Sequence, residues 1–162
     1  SPLSIIAASF GAVSTCLSLP DIEHDLRGLV LWNPVLDLQM TFIKPVLPWG
    51  KRNFNSVSIQ QLKSDGYLLL DGSFEVGQAL YNEMKTLNPY APFIKSSIPS
   101  IIVHGNKDTY VPYHVSRDAC RKRRNCQLVT VENSDHGFDG RDNEDNAIGI
   151  TINWLSGIYR PM

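Results

Sequence analysis

Short apolar runs alternate with helical patterns along most of this 162-residue chain. Apolar runs at residues 3–8, 28–33, 98–104 and 127–132 predict strands, whereas the patterns at 10–19, 73–87, 112–123 and 143–158 predict helices. Such alternation is typical of a parallel sheet covered by helices, and nearly unbroken apolar strands are expected where both sheet faces are buried. We therefore predict an α/β fold with about four parallel strands.

Residues 35–72 interrupt this alternation. Prolines and glycines there separate scattered aromatic and aliphatic side chains, and the pattern predicts no regular sheet unit. A segment of this kind is either a packed surface connection or a cap that lines a substrate pocket. We predict one domain over residues 1–162, with a small cap-like insertion at about 35–72 after the second strand.

Composition excludes several classes of function. The formal net charge is -1, so neither nucleic acid nor an anionic membrane is expected as the main partner. No apolar run approaches the roughly 18 residues of a membrane span and no secretory signal is visible, which favours a cytoplasmic location. Cys16, Cys120 and Cys126 are odd in number and lack zinc-site spacing, so we expect thiols rather than disulfides. The basic run at 121–124 is expected to be a solvated helix end.

Ser9 lies where the first predicted strand turns into a helix, between the small residues Ala7 and Gly11. This arrangement is typical of a nucleophile elbow, in which a serine is exposed at the carboxyl end of a strand. The match alone is weak, because a serine that caps an ordinary helix looks the same. Asp108 and His136 also follow predicted strands, and the carboxyl ends of parallel strands meet at one edge, where sites form.

These three residue types fit one chemistry. A serine hydroxyl needs a base to take its proton during attack, which predicts His136 as base and then acid, oriented by a buried Asp108. Asp37 is an alternative acid after the second strand, whereas Asp135 is adjacent to the histidine and badly placed to orient its ring. His104 is expected to pack or to form hydrogen bonds rather than to act as a base.

With Ala-Ala-Ser9-Phe-Gly, His104-Gly-Asn-Lys-Asp108 and Asp135-His136-Gly-Phe in this order, the sequence resembles the α/β-hydrolase superfamily over nearly its whole length. Within it, the chain looks most like small serine esterases of the cinnamoyl esterase, acylglycerol lipase and acyl-thioesterase kind. The resemblance implies hydrolysis of a carboxylic ester or thioester through an acyl-enzyme, with no metal or organic cofactor. It also implies that the Phe10 amide stabilises the oxyanion.

Two other functions remain open on the sequence. A serine peptidase of the prolyl oligopeptidase kind uses the same fold and residue order, and an inert fragment would retain these residues while acting only through association. The substrate is expected to be a small ester or thioester. Trp32, Trp49 and Phe54 are candidates to line an acyl or aryl pocket, although aromatic residues in a connection also serve as packing.

The front of the chain departs from the superfamily, whose sheet has about eight strands with about four before the elbow. The resemblance therefore implies a C-terminal part, without the loop that supplies the second oxyanion donor. Losing one donor typically costs about 10²–10³ in rate, so the isolated chain is expected to be a poor enzyme. The elbow strand would be a sheet edge, which favours self-association or pairing with another chain.

Overall fold

The computed structural model describes residues 3–159, which contain six strands and seven α-helices. In chain order they are β1 (Leu3–Ala8), α1 (Gly11–Ile22), β2 (Leu26–Trp32), α2 (Pro48–Asn53), α3 (Ser56–Asp65), β3 (Tyr67–Leu70), β4 (Phe74–Gly77), α4 (Gln78–Met84), α5 (Tyr90–Lys95), β5 (Ser100–Gly105), α6 (Tyr113–Arg121), β6 (Cys126–Val131) and α7 (Arg141–Ile158). A 3₁₀ turn at Glu23–Asp25 and a π-helical turn at Gln39–Ile43 complete the described elements.

Four strands form the central sheet in the order β1-β2-β5-β6, and every neighbouring pair is parallel. The predicted α/β fold with four parallel strands is confirmed, with strand ends shifted by one or two residues. Leu31 pairs with Ala7 on one side and with Ile102 on the other, which places β2 and β5 in the centre. All residues of β5 are buried, as its unbroken apolar run predicts.

Both faces of this sheet are covered, because successive strand residues point to opposite sides. Leu29 and Leu31 face a core that they share with α1, α5 and α6, whereas Val30 faces a second core with α7. α7 packs there through Ala147, together with Trp154. The helices cover both faces of the sheet and leave the carboxyl ends of the parallel strands uncovered.

The predicted helix over 73–87 is wrong in its first part. Phe74–Gly77 is strand β4, antiparallel to β3, and the helix begins only at Gln78. The physical reason is a tight turn at Asp71 and Gly72, whose φ angles are 47° and 74°. Two positive φ values in succession suit the twist of a β-hairpin, and the three residues 71–73 connect the paired Leu70 and Phe74.

Two further expectations near the helix ends are corrected. The first helix does not end at residue 19 as predicted but continues through Pro20 to Ile22, because proline fixes its own φ near a helical value and Pro20 lies only two residues before the helix end. Arg123 is buried rather than solvated, with one terminal nitrogen 3.0 Å from Ser100 Oγ and its guanidinium carbon 4.3 Å from the centre of the Phe93 ring.

The expectation of three thiols is also wrong. Cys120 and Cys126 form a disulfide across the turn from α6 to β6, where their Cα atoms lie 5.2 Å apart. Cys16 remains a free thiol in the α1 core, and burial raises its pKa to about 12. A thiol held neutral in this way is chemically inert.

The first strand forms one edge of the described sheet. Leu3 is 60% exposed and Ile6 is 52% exposed on β1, high values for apolar residues of a parallel strand. None of the helices within residues 3–159 has the length and apolar character needed to cross a bilayer.

Candidate active site

Ser9 lies at the sharp turn between β1 and α1. Its φ of 49° is left-handed, an uncommon conformation for a residue with a side chain. Main-chain hydrogen bonds fix the turn: the Ser9 amide donates to the Trp32 carbonyl at 2.9 Å, and the Val35 amide donates to the Ser9 carbonyl at 3.1 Å. The end of β2 therefore sets the position of the Ser9 side chain.

The structure brings Ser9, His136 and Asp108 into one hydrogen-bonded row. Ser9 Oγ lies 2.9 Å from His136 Nε2, and His136 Nδ1 lies 2.8 Å from Asp108 Oδ2. The three residues come from the ends of β1, β6 and β5, so the parallel sheet places them together as the sequence predicts. This geometry allows the imidazole to accept the serine proton through one nitrogen while the carboxylate holds the other.

The Asp108 side chain is fully buried, and donors surround its carboxylate. Oδ1 accepts from the amides of Tyr110 and Val111, each at 2.8 Å, while Oδ2 faces the imidazoles of His136 and His104. Burial alone raises the pKa of Asp108, but the hydrogen bonds from both imidazoles and from Val111 outweigh it and hold the pKa well below its ordinary value. The group is therefore a carboxylate at neutral pH.

As predicted from its adjacency to His136, Asp135 does not orient the imidazole. Its Oδ1 instead accepts from the His136 amide at 2.7 Å and from the Thr109 amide at 2.7 Å. Asp135 thus joins the loop that carries Asp108 to the loop that carries the histidine. The alternative acid, Asp37, accepts from the Met40 amide at 2.9 Å, and within residues 3–159 it forms no hydrogen bond or ion pair with His136.

A column of stacked rings runs from His136 through Tyr110 to Trp49 of α2. Tyr110 stacks on the imidazole with ring centres 4.8 Å apart, and Trp49 stacks on Tyr110 at the same separation. The Trp49 indole donates to Asp71 Oδ2 at 2.7 Å. The hydrogen bond from Trp49 is the strongest cause of a lowered pKa at Asp71; burial opposes it, and weaker hydrogen bonds from Asn53 and Arg52 add to the lowering.

An apolar pocket of about 310 Å³ opens beside Ser9 and His136. The segment between β2 and β5 supplies most of its wall, including Phe42, Trp49, Leu70, Asp71, Ser73, Phe74, Val76, Leu80 and Met84. Phe10 lines the pocket next to the serine and meets Phe42 edge to face at 5.7 Å. As the N-cap residue of α1, Phe10 also carries one of the amides that a helix start leaves without an intrahelical partner.

The three aromatic residues predicted to line a pocket occupy different places. Trp49 lines the apolar pocket, whereas Phe54 supports it from behind, with its ring 5.5 Å from that of Phe42. Trp32 lies outside the apolar pocket and lines a cleft of about 230 Å³ with Ser9 and His136. Its position on β2 turns the indole toward α7, where it donates to Thr151 Oγ1 at 2.9 Å.

Solved structures resemble this chain closely in fold. Est1E from Butyrivibrio proteoclasticus superposes with a TM-score of 0.72 at 18% identity, over 99% of this chain and 63% of that protein. The same esterase with ferulic acid bound gives 0.73 at 20% identity, over 99% and 61%. Alpha/beta hydrolase domain-containing protein 10 from mouse gives 0.72 at 14% identity, over 98% and 63%.

The chain has a partial α/β-hydrolase fold. It spans less than two thirds of the length of these hydrolases, with 63% of Est1E covered. Comparison of the sequence with protein-family models and with curated proteins gives no match. Identities of 14% to 20% show the hydrolase fold alone, so the chemistry has to be inferred from the site.

Sequence reasoning about this hydrolase fold missed several residues of the site. The Asp71-Gly72 pair between two apolar runs is a strong hairpin signal, and it would have placed β3 and β4 over the pocket. Tyr110 has no comparable sequence signal, because stacking depends on which elements meet, whereas His104 forms hydrogen bonds as predicted. Within residues 3–159, no cluster of three metal-binding side chains occurs.

Proposed function

We propose that this chain is a serine hydrolase that cleaves a carboxylic ester or thioester through an acyl-enzyme. The observation that carries the proposal is the unbroken row from Ser9 Oγ through His136 to the buried carboxylate of Asp108. Its two short distances provide the base and the orienting group that a serine nucleophile needs. The hydrolase fold of the chain agrees with this assignment.

The reaction begins as Ser9 Oγ attacks the carbonyl carbon and His136 Nε2 takes its proton. The tetrahedral intermediate collapses, the bond to the leaving oxygen or sulfur breaks, and the imidazolium returns the proton to that atom. Water then repeats the sequence on the acyl-enzyme and releases the carboxylic acid. Asp108 keeps Nδ1–H in place throughout, and the Phe10 amide stabilises the oxyanion.

The apolar pocket is proposed to hold the acyl group. Its walls are mostly aromatic and aliphatic, and Asp71 is the one carboxylate among its lining residues in the described part of the chain. An anionic acyl group is therefore disfavoured, and an uncharged aryl or alkyl group fits. The ferulic acid bound to Est1E, a structural neighbour, supports an aromatic acyl group.

The first test is covalent labelling with a fluorophosphonate probe, followed by peptide mass spectrometry. We expect one adduct on Ser9, lost in Ser9→Ala and strongly slowed in His136→Ala. Ser14→Ala is a matched control, because Ser14 is an exposed serine on α1 that bonds only the Gly11 carbonyl in this structure. No adduct on Ser9 in the folded protein would reject the proposal in favour of an inert hydrolase fragment.

The second test separates an esterase from a peptidase of the prolyl oligopeptidase kind. Matched aryl and alkyl esters, thioesters and peptide amides of the same acyl group are compared by kcat/KM. We expect esters or thioesters to react and amides to be inert. Faster turnover of the amide would replace the esterase assignment by the peptidase one.

Pairing of the first strand with another chain stays a prediction. The exposed Leu3 and Ile6 on β1 support it. We expect size-exclusion chromatography with light scattering to detect self-association that Ile6→Lys weakens, because a charge protects an exposed strand edge. A monomer at all concentrations, with turnover typical of esterases, would contradict this prediction.

A further inference from the structure

A second imidazole binds the carboxylate of Asp108. His104, near the end of β5, is fully buried, and its Nε2 lies 3.1 Å from Asp108 Oδ2. On the other side of the ring, His104 Nδ1 lies 2.8 Å from the hydroxyl of Ser116, which is also fully buried. One carboxylate oxygen therefore lies between two histidines, because His136 Nδ1 reaches the same Oδ2 at 2.8 Å.

Hydrogen-bond chemistry fixes the direction of these contacts. An ionised carboxylate only accepts, so the ring nitrogen of each histidine that faces Asp108 carries the hydrogen. In a neutral His104, Nδ1 is then an acceptor and takes the hydroxyl hydrogen of Ser116. The row Ser116–His104–Asp108 thus repeats Ser9–His136–Asp108 in mirror order. The two rows differ in their ring nitrogens, because His104 faces its serine through Nδ1 whereas His136 faces Ser9 through Nε2. They also differ in exposure, because Ser116 is buried whereas Ser9 lines the pocket.

We propose that His104, held by Ser116, is a positioning residue that sets the basicity of His136 through their shared carboxylate. The inference rests on the proposed function, since it concerns the base of that reaction. A hydrogen bond from His104 neutralises part of the Asp108 charge and leaves less of it to stabilise the protonated form of His136. The same bond, with those to Oδ1, prevents rotation of the carboxylate.

Other groups that face His136 stay the same when His104 changes. Asp108 faces Nδ1, Asp135 binds the main-chain amide of the histidine, and the Tyr110 ring covers one face of the imidazole. Glu144 of α7 lies across the smaller cleft. None of these groups is bonded to His104 except Asp108. A shift in the titration of His136 therefore reports on the shared carboxylate.

The test compares His104→Leu, which removes both hydrogen bonds, with His104→Gln, whose amide can still donate to Asp108. Nuclear magnetic resonance follows the titration midpoint of His136. We expect His104→Leu to raise this midpoint by about 0.5–1 pH unit, because more carboxylate charge then faces the imidazole. His104→Gln should restore the wild-type midpoint to within about 0.2 unit. Ser116→Ala should shift it upward by a smaller amount, since an imidazole without that donor is a weaker acid.

The pH dependence of Ser9 labelling by the fluorophosphonate gives a second measurement. In His104→Leu its acidic limb should move upward with the titration midpoint, and the plateau rate should fall about tenfold because Asp108 is less firmly held. Ser100→Ala is the control, a buried serine at the opposite end of β5 whose loss should change stability but neither the midpoint nor the acidic limb.

The outcomes separate the two proposals. Absence of labelling in the wild type rejects the hydrolase function, while the His136 midpoints still test the role of His104. A folded His104→Leu with the wild-type midpoint overturns that role. If His104→Leu does not fold, Ser116→Ala decides in its place, and an unchanged midpoint there overturns the inference as well.

Discussion

Asp71 anchors the hairpin that covers the apolar pocket, and Asp71→Asn tests how much that anchor contributes. The carboxylate accepts from Trp49 at 2.7 Å and from Arg52 and Asn53 at 3.2 Å each. Asparagine retains the left-handed turn conformation, which it tolerates well. Its single carbonyl oxygen cannot serve all three donors, however, so the change removes hydrogen bonds without removing the turn.

The expected loss in the free energy of unfolding is about 2 kcal/mol. If the asparagine oxygen does not serve the Trp49 indole, the unpaired indole N–H costs about 1–3 kcal/mol. Loss of the ion pair with Arg52 adds at most about 1 kcal/mol, because that pair is solvent-exposed. The Asp71 side chain is 40% exposed, so water replaces part of the loss. With a urea dependence of about 2 kcal/mol per molar, the unfolding midpoint should fall by about 1 M.

The assay is urea unfolding followed by tryptophan fluorescence, with Asp65→Asn as the control on the exposed end of α3. Asp65→Asn should change stability by less than about 0.5 kcal/mol. Because the pKa of Asp71 is lowered in the folded state, its stabilisation is present above the unfolded value near 3.8 and is lost as pH falls through the folded value. Wild type and Asp71→Asn should converge below that range. Equal stability at pH 7 would refute this account of the hairpin.

Three further predictions follow from the core and the site. Gly105→Ala should destabilise the fold and slow Ser9 labelling, because a Cβ at this position would collide with the Ser134 carbonyl. Gly11→Ala is the control and should be tolerated, since a Cβ there has no neighbouring atom within 4 Å. Circular dichroism and labelling rates compare the two variants, and equal behaviour would contradict the packing at Gly105. Asp108→Asn should lower the rate of Ser9 labelling by a factor of about 10³–10⁴ without unfolding the protein, because the imidazole loses its orienting acceptor. A loss in rate of less than tenfold would contradict the proposed orienting role of Asp108. Thiol titration of the denatured protein should find one free thiol, Cys16, before reduction and three thiols after reduction. Three thiols before reduction would exclude the disulfide. The disulfide counts against the cytoplasmic location predicted from the sequence.

The four parallel strands and the meeting of Ser9, Asp108 and His136 at one edge of the sheet could be predicted because they depend on local signals. Each strand is an unbroken apolar run, and a parallel sheet brings its carboxyl ends to one edge whatever the details of packing. The fold was therefore within reach of sequence reasoning, as were these three positions. The residues that surround these three positions could not be predicted from the sequence.

The errors share one physical cause, which is that tertiary contacts override local patterns. Phe74 fits the three- and four-residue spacing of the helix that follows, yet the turn before it makes Phe74 part of a strand. Arg123 fits a solvated helix end, yet it lies folded back on the Phe93 ring. In each case the deciding neighbour is distant in sequence.

The left-handed conformation of Ser9 has a consequence for how such a chain evolves. At a φ of 49°, glycine is the residue that the backbone prefers, and a side chain there costs about 1 kcal/mol or more. Glycine at this position would therefore make the protein more stable and abolish its nucleophile. Selection for stability and selection for catalysis act in opposite directions at this residue. Loss of selection for the proposed catalysis would therefore favour glycine at this position.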